Sequence, residues 1–474
     1  MDIKHFIESA RNGSIDLVEH THKVIEESKK INKDYNYFNT ISEGLALEQA
    51  NHLKKLIKSS DKSIKNKKLF GVAISIKDSI CVKGVESTAG SRILKGYRPL
   101  FNATVVEKII NEGGIIIGKT SQDEFGFGSF SVHSGFKIPK NPIDPERSCG
   151  GSSGGAAGIA KKATFQHVSV GESTGGSIAE PASFCDVFGM CPTYGRVSRY
   201  GLIDFGNSLD KIGPMGKTCH ETALLQEVLS GYDENDSTSV NAPVDDYTDF
   251  TPSKKMKIGV IKEAFDKGLD KNVEKNVWAS INKLEGNGVH YEEISLEMPI
   301  KYGLATYYMI GTSEASTNLS KYCGMRYGAS EKLEGSFNEY FTKVRSTNLG
   351  EEAKRRIILG TFARMSGFRD AYYIKAMKVR TMITKEYKKA FKKYDALVSP
   401  AVPILPPKFS EIKKLTPLEN YMMDIMLTGP NICGLPHLSV PSGYSNKLPI
   451  GTLFIGDHLQ EKKLFQLGHL LEGK

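Results

Sequence analysis

The run Ser148-Cys149-Gly150-Gly151-Ser152-Ser153-Gly154-Gly155 and the later Thr174-Gly175-Gly176-Ser177-Ile178 deliver serines on two separate glycine-rich turns. Far upstream, Lys77 ends the apolar stretch Gly71-Val-Ala-Ile-Ser-Ile-Lys77-Asp78. Glycines let a backbone approach a substrate closely and take dihedrals that other residues refuse. A serine beside consecutive backbone N–H groups offers a nucleophile and an oxyanion site together, as acyl transfer requires. A lysine can serve as base once burial strips its charge, and an apolar strand end supplies burial. Singly, each residue has an ordinary explanation: a surface lysine, a Gly–Ser turn, a helix cap at Ser177. Jointly they predict amide cleavage by a Ser–Ser–Lys relay.

The elements that must position these residues read as α/β. Residues 2 to 60 carry helical periodicity, with Ser14 and Asp16 placed like helix starts. Leu69 to Ile76 reads as a buried strand, Thr104 to Asn111 as a helix and Ile115 to Ile117 as a second strand. Residues 118 to 217 concentrate Gly, Ser and Pro with few helical periods, the texture of a site assembled from loops. Ser230 to Ser253 reads as a connection. Lys257 to Ile261, Ala396 to Ser399, Leu435 to Pro441 and Leu453 to Ile455 are strand candidates. Val273 to Gly286, Tyr302 to Leu319, residues 351 to 391 and Gln460 to Leu471 are helical. Alternating strands and helices predict a mixed or largely parallel sheet.

The 474 residues, 39% hydrophobic and 25% charged, suit a soluble globular protein with a sizeable core. The net charge of +9 is spread over short lysine clusters, which reads mainly as a solvated surface. Seven cysteines without a Cys-x-x-Cys pair argue against a disulfide frame or zinc site. The start lacks the features of a signal or transit peptide and no apolar run reaches a membrane span, so a cytoplasmic location is expected.

Two other motifs are weaker. Gly113-Gly-Ile-Ile-Ile-Gly118-Lys119-Thr120 satisfies the phosphate-loop pattern, yet branched aliphatics occupy the loop and a strand candidate lies inside it. Gly150-Gly151-Ser152-Ser153-Gly154 satisfies the nucleophile-elbow pattern, but a polar proline-bearing loop precedes it where a strand should run. An elbow would also need a histidine, and His437, His458 and His469 have no distinguishing setting.

In order and spacing, the segments Gly71 to Asp78, Gly150 to Gly155 and Gly175 to Pro181 closely resemble the amidase signature family. Within it, Cys191-Pro-Thr-Tyr-Gly-Arg-Val-Ser-Arg-Tyr-Gly-Leu202, Ser208-Leu-Asp-Lys-Ile-Gly-Pro214 and Ser313-Glu-Ala-Ser-Thr-Asn-Leu-Ser320 resemble the A-type subunits of glutamyl-tRNA(Gln)/aspartyl-tRNA(Asn) amidotransferases. The resemblance implies Ser177 as nucleophile, Ser152 as a bridging serine on a cis peptide, with Ser153 the alternative, and Lys77 as base. It implies an oxyanion hole from the N–H groups of Thr174, Gly175, Gly176 and Ser177. The loop with Gly128 and Ser129 would line the pocket. A free glutamine would be held by Asp424, by Arg356 (or Arg355) and by Tyr308 (or Tyr307). The implied fold is one α/β domain with a mixed central sheet covered by helices. Residues 1 to 60 would be its N-terminal helices, 61 to 220 its catalytic core, and about 300 to 390 a helical elaboration.

The activity implied is glutamine hydrolysis through a serine-linked acyl-enzyme, the ammonia amidating Glu-tRNA(Gln) or Asp-tRNA(Asn). No cofactor is implied for this chain; ATP and magnesium would act at a B-type partner subunit, joined by a small C-type one. The alternatives are a stand-alone amidase and a scaffold subunit of weakened activity. Several residues depart from the family pattern: Cys149, Glu172-Ser173 and Ala179-Glu180, with one extra residue between Ala156 and Glu172. These surround the oxyanion turn, so reduced activity or a shifted substrate is a further expectation.

Overall fold

A computed structural model describes residues 2–252, 255–266 and 268–473. Among them, eleven strands form one mixed sheet. They are β1 (Phe38–Ile41), β2 (Ala73–Lys77), β3 (Ile115–Thr120), β4 (His167–Ser173), β5 (Phe188–Cys191) and β6 (Lys211–Gly216). The later strands are β7 (Lys257–Ile261), β8 (His290–Ile294), β9 (Ala396–Pro400), β10 (His437–Ser445) and β11 (Leu448–Ile455). Their spatial order is β1-β3-β2-β4-β6-β5-β10-β11-β9-β7-β8. Helices flank this sheet in a single α/β domain, as the sequence predicts.

The central strands are apolar because both faces are covered. Every residue of β2, β3 and β4 is buried. One apolar cluster joins these strands to the N-terminal helices, and another joins β7, β9 and β10 to helices Lys271–Gly286 and Glu461–Glu472. A third cluster packs helices Glu297–Asn318, Glu351–Arg364 and Lys375–Phe391 beside the glycine-rich turns. The strands β2 and β4 run parallel with Ile76 opposite Val170, so Lys77 and Glu172 emerge at neighbouring strand ends.

Most predicted elements appear within a few residues of their expected bounds, and the exceptions have local causes. Within residues 2 to 60, β1 interrupts the helices: Asn36 takes a left-handed conformation after Tyr35, and the next residues pair with β3. Asp16 caps helix Leu17–Tyr35 through the N–H groups of Val18 and Glu19, whereas the Ser14 hydroxyl turns back to Asn12. The signal over 351 to 391 is two helices, parted by Gly367 at φ 87° and a π-helical turn at Asp370–Ile374. Helix Gly154–Lys162 forms despite its glycines because tertiary packing demands them. A Cβ on Gly158 would lie 2.1 Å from the Tyr37 ring. The connection from Ser230 is irregular through residue 252, and its expected end at Ser253 lies outside the described residues.

Candidate active site

Lys77, Ser152 and Ser177 come together at the ends of β2 and β4 and on the two glycine turns. The Lys77 ammonium is fully buried. It donates to Ser152 Oγ at 2.7 Å, to the Glu172 carbonyl at 2.8 Å and to Glu172 Oε2 at 2.9 Å. An ammonium has three donors and no acceptor, and these three acceptors account for all of them. Sequence alone leads one to expect an uncharged amine here, and the structure sets the Glu172 carboxylate beside it.

The Gly151–Ser152 peptide is cis, and Ser152 is fully buried. Ser177 is 7% exposed, and its hydroxyl bonds to none of the described residues. Its carbonyl accepts the Ser153 N–H at 3.2 Å, which ties the two turns together. The Ser153 hydroxyl faces away from this contact and donates to the Glu172 carbonyl at 3.0 Å. The backbone N–H groups of Thr174, Gly175, Gly176 and Ser177 find no acceptor among the described residues. Buried N–H groups are rarely left in that state, and four in succession make a ready site for a developing negative charge.

Close approach fixes the glycines of this turn. A Cβ on Gly176 would stand 2.3 Å from Asp424 Oδ1, and one on Gly175 would stand 2.9 Å from the Tyr307 ring. Asn431, on helix Ile425–Ile432, donates to the Thr174 and Leu209 carbonyls and holds the turn from below. Ser173 donates to the Gly175 carbonyl at 3.2 Å, while Ala179 packs in the apolar cluster.

A second group of side chains lies on the other side of the turn. Asp424 accepts from Ser129 Oγ at 3.1 Å. Burial pushes its carboxyl up to about 6. Gly128 sits against Asp123, whose carboxylate accepts the N–H groups of Ser131 and His133 and so shapes this loop. Arg356 is buried among the rings of Phe127, Phe205, Tyr308 and Tyr421, and donates through Nε to Glu352 at 2.8 Å. Its terminal nitrogens are unpaired among the described residues, so a planar fork remains for a carboxylate. Arg355 instead pairs with the outer oxygen of Glu352 and is half-exposed. Tyr308 stacks on Tyr421 at 4.2 Å and its buried hydroxyl has no partner among the described residues, whereas Tyr307 packs on the oxyanion turn. Beyond Glu352 and Tyr421 opens a cavity of about 770 Å³.

Several groups are not legible from sequence. Thr174 Oγ1 lies 3.0 Å from Glu172 Oε1 and 2.7 Å from Asp210 Oδ1. One hydroxyl proton cannot serve both, and burial together with the Glu172 charge pushes Asp210 well above the usual carboxylate range. Glu180 is fully buried facing Asp424, and burial, the charges of Asp424 and Asp123 and a hydrogen bond shared with Asp424 push it well above that range too. Only Glu352 has a signal in the sequence, the four-residue step to Arg356 on one helix face.

The two weaker motifs resolve without ligands. Lys119 lies within β3 and its ammonium donates to Ser87 Oγ at 2.6 Å and to Asp78, so the phosphate-loop pattern is strand. His437 is buried against the Leu435 carbonyl, and His458 and His469 contact other residues than the two serine turns. Among the described residues, no group of His, Cys, Asp and Glu could hold a metal ion, and no helix is long and apolar enough to cross a membrane.

Comparison with known proteins agrees over nearly the whole length. The Amidase family matches residues 19–465. The chain is 46% identical over 407 residues to the A-type subunit of the glutamyl-tRNA(Gln) amidotransferase of Microcystis aeruginosa, covering 85% of this chain and 83% of that one. It is 41% identical over 480 residues to its counterpart in Thermoanaerobacter pseudethanolicus, covering 100% and 96%. The crystal structure of the corresponding glutamyl-tRNA(Gln) amidotransferase chain from Thermotoga maritima superposes with a TM-score of 0.76 at 35% identity, covering 96% of this chain and 92% of that one. A cis-serine turn, a buried lysine and a row of N–H groups without an acceptor among the described residues thus occur in a chain that belongs to the amidase family, whose members are amide-hydrolysing enzymes.

Proposed function

We propose that this chain is the glutamine-hydrolysing component of a tRNA-dependent amidotransferase, working in the cytoplasm with a B-type and a small C-type partner. The observation that carries this reading is the 2.7 Å contact of Lys77 with Ser152 beside the free N–H groups at Ser177. Its relatives' names supply the tRNA-linked context. The Ser177 hydroxyl attacks the side-chain amide of glutamine as its proton passes through Ser152 to Lys77. The N–H groups of Thr174 to Ser177 hold the oxyanion, each donor worth about 3 kcal/mol in the transition state. The proton returns through Ser152 to the departing ammonia, and water then cleaves the Ser177 ester.

Arg356 takes the α-carboxylate of glutamine, Asp424 with Ser129 its α-ammonium, and Tyr308 covers the chain between them. A guanidinium for a carboxylate and a carboxylate for an ammonium is the pairing a free amino acid calls for. ATP and magnesium act at the partner, where the ammonia meets the charged tRNA.

The test is Ser177→Ala in the assembled complex. Glutamine hydrolysis should fall by roughly 10⁴-fold or more, while amidation of charged tRNA from added ammonium salts persists. Normal glutamine turnover by that variant would remove Ser177 from the mechanism. Turnover of simple acyl amides without partner subunits, and none of glutamine, would indicate a stand-alone amidase.

A further inference from the structure

Glu172 stands at the usual serine of the family's Ser-Asp-Thr, and the sequence marks it only as a departure. In the structure its carboxylate is 4% exposed and bonded on both oxygens, to Lys77 at 2.9 Å and to Thr174 at 3.0 Å. Its own carbonyl accepts from Lys77 and from Ser153. One residue thus contacts the base, the oxyanion turn and the serine turn. We propose that Glu172 is a positioning residue of the proton relay, orienting Lys77 toward Ser152 and stabilising the ammonium that forms when Ser177 is deprotonated. The inference rests on the Ser177–Ser152–Lys77 relay of the proposed function.

In the acylation step the Ser177 oxygen bonds to the amide carbon, whose π pair moves to the carbonyl oxygen. The Ser177 proton passes to Ser152 as the Ser152 proton passes to the neutral Lys77 amine. Glu172 stays a carboxylate throughout and faces the new positive charge. When the C–N bond breaks, the proton goes back by the same path and leaves in ammonia. This is the part a buried aspartate plays toward the imidazole of a Ser-His-Asp triad, transferred to a lysine.

The arrangement carries a cost, because the carboxylate attracts the Lys77 proton before reaction as well as during it, and Glu172→Gln would remove that attraction. Other titratable groups facing the pair are Asp123 from the loop after β3, Asp210 before β6, Cys191 at the end of β5 and Tyr307 on helix Glu297–Asn318. Among these carboxyl groups, Glu172 is the one in contact with Lys77.

The experiment follows the rate at which phenylmethanesulfonyl fluoride labels Ser177 between pH 6 and 10, read by mass spectrometry, for the complete chain and for Glu172→Gln. Labelling reports the nucleophile without requiring glutamine as substrate. In the unaltered protein the rate should still be rising above pH 7. In Glu172→Gln the rising limb should move to lower pH by about one unit or more, with a lower plateau. A merely structural role would lower the plateau and leave the limb in place. An unmoved limb overturns the proposal, as does a plateau already reached by pH 6 in the unaltered protein, which needs no variant. Absence of labelling at Ser177 at every pH overturns it together with the triad. Labelling with the expected shift but no glutamine turnover upholds it and refutes the substrate assignment alone.

Discussion

Arg356 is enclosed by four aromatic rings and tied at Nε by Glu352, so its terminal nitrogens are held in one plane before any ligand arrives. A lysine there would keep the charge and lose the fork. Arg356→Lys should therefore raise KM for glutamine by roughly 10- to 100-fold with a smaller change in kcat, measured by steady-state ammonia release. An equal fall in kcat and kcat/KM would place Arg356 in the chemical step. Glu180 allows a test of stability. Its folded-state proton affinity is raised above the ordinary carboxyl value, so its contribution is most favourable in acid and is lost as pH rises. Glu180→Gln removes that loss and supplies an amide donor toward Asp424. It should stabilise the fold by roughly 1–3 kcal/mol at pH 8 and by less at pH 5, read from thermal unfolding at both. At this scale the sequence is informative where residue type and spacing define the chemistry, as for Lys77, Ser152 and Ser177. It marks Glu172 only as a departure and is silent on Asp210, whose placements follow from β2, β4 and β6 being neighbours in space.

Elements differ in how firmly they are held. β2 and β4 are buried along their full length and hydrogen-bonded on both sides, whereas no residue of the turn Asp370–Ile374 is buried. Native-state hydrogen exchange should find the amides of Ala73–Lys77 and His167–Ser173 opening only with the whole domain, and those of Asp370–Ile374 exchanging far earlier. Comparable protection in both would contradict the burial pattern. The same contrast explains what can be read in advance. Thr104–Asn111 and Lys257–Ile261 appear as expected because their apolar periods are unambiguous. β1 is concealed because four residues between helices carry too short a pattern, and its pairing partner lies far along the chain. The break within 351 to 391 is marked in the sequence only by Ser366-Gly367, a lone glycine of the kind a helical run can also tolerate.

For the molecule as a whole, the mixed sheet is legible as a class but its order is not. Alternating helix and strand signals do not say that β6 precedes β5 across the sheet, or that β10 and β11 link the two halves. That order decides where the site lies. Lys77 and Glu172 rise from adjoining strands, so ladder spacing fixes their separation and loop movement leaves it unchanged. Arg356 and Tyr308 sit on helices outside the ladder, and Asp424 in the short turn before another. On the proposed function, bond breaking is thus anchored in the buried ladder and recognition in helices outside it. A lineage of such enzymes could exchange one amide for another by remodelling those helices while the hydrolytic apparatus stayed as it was.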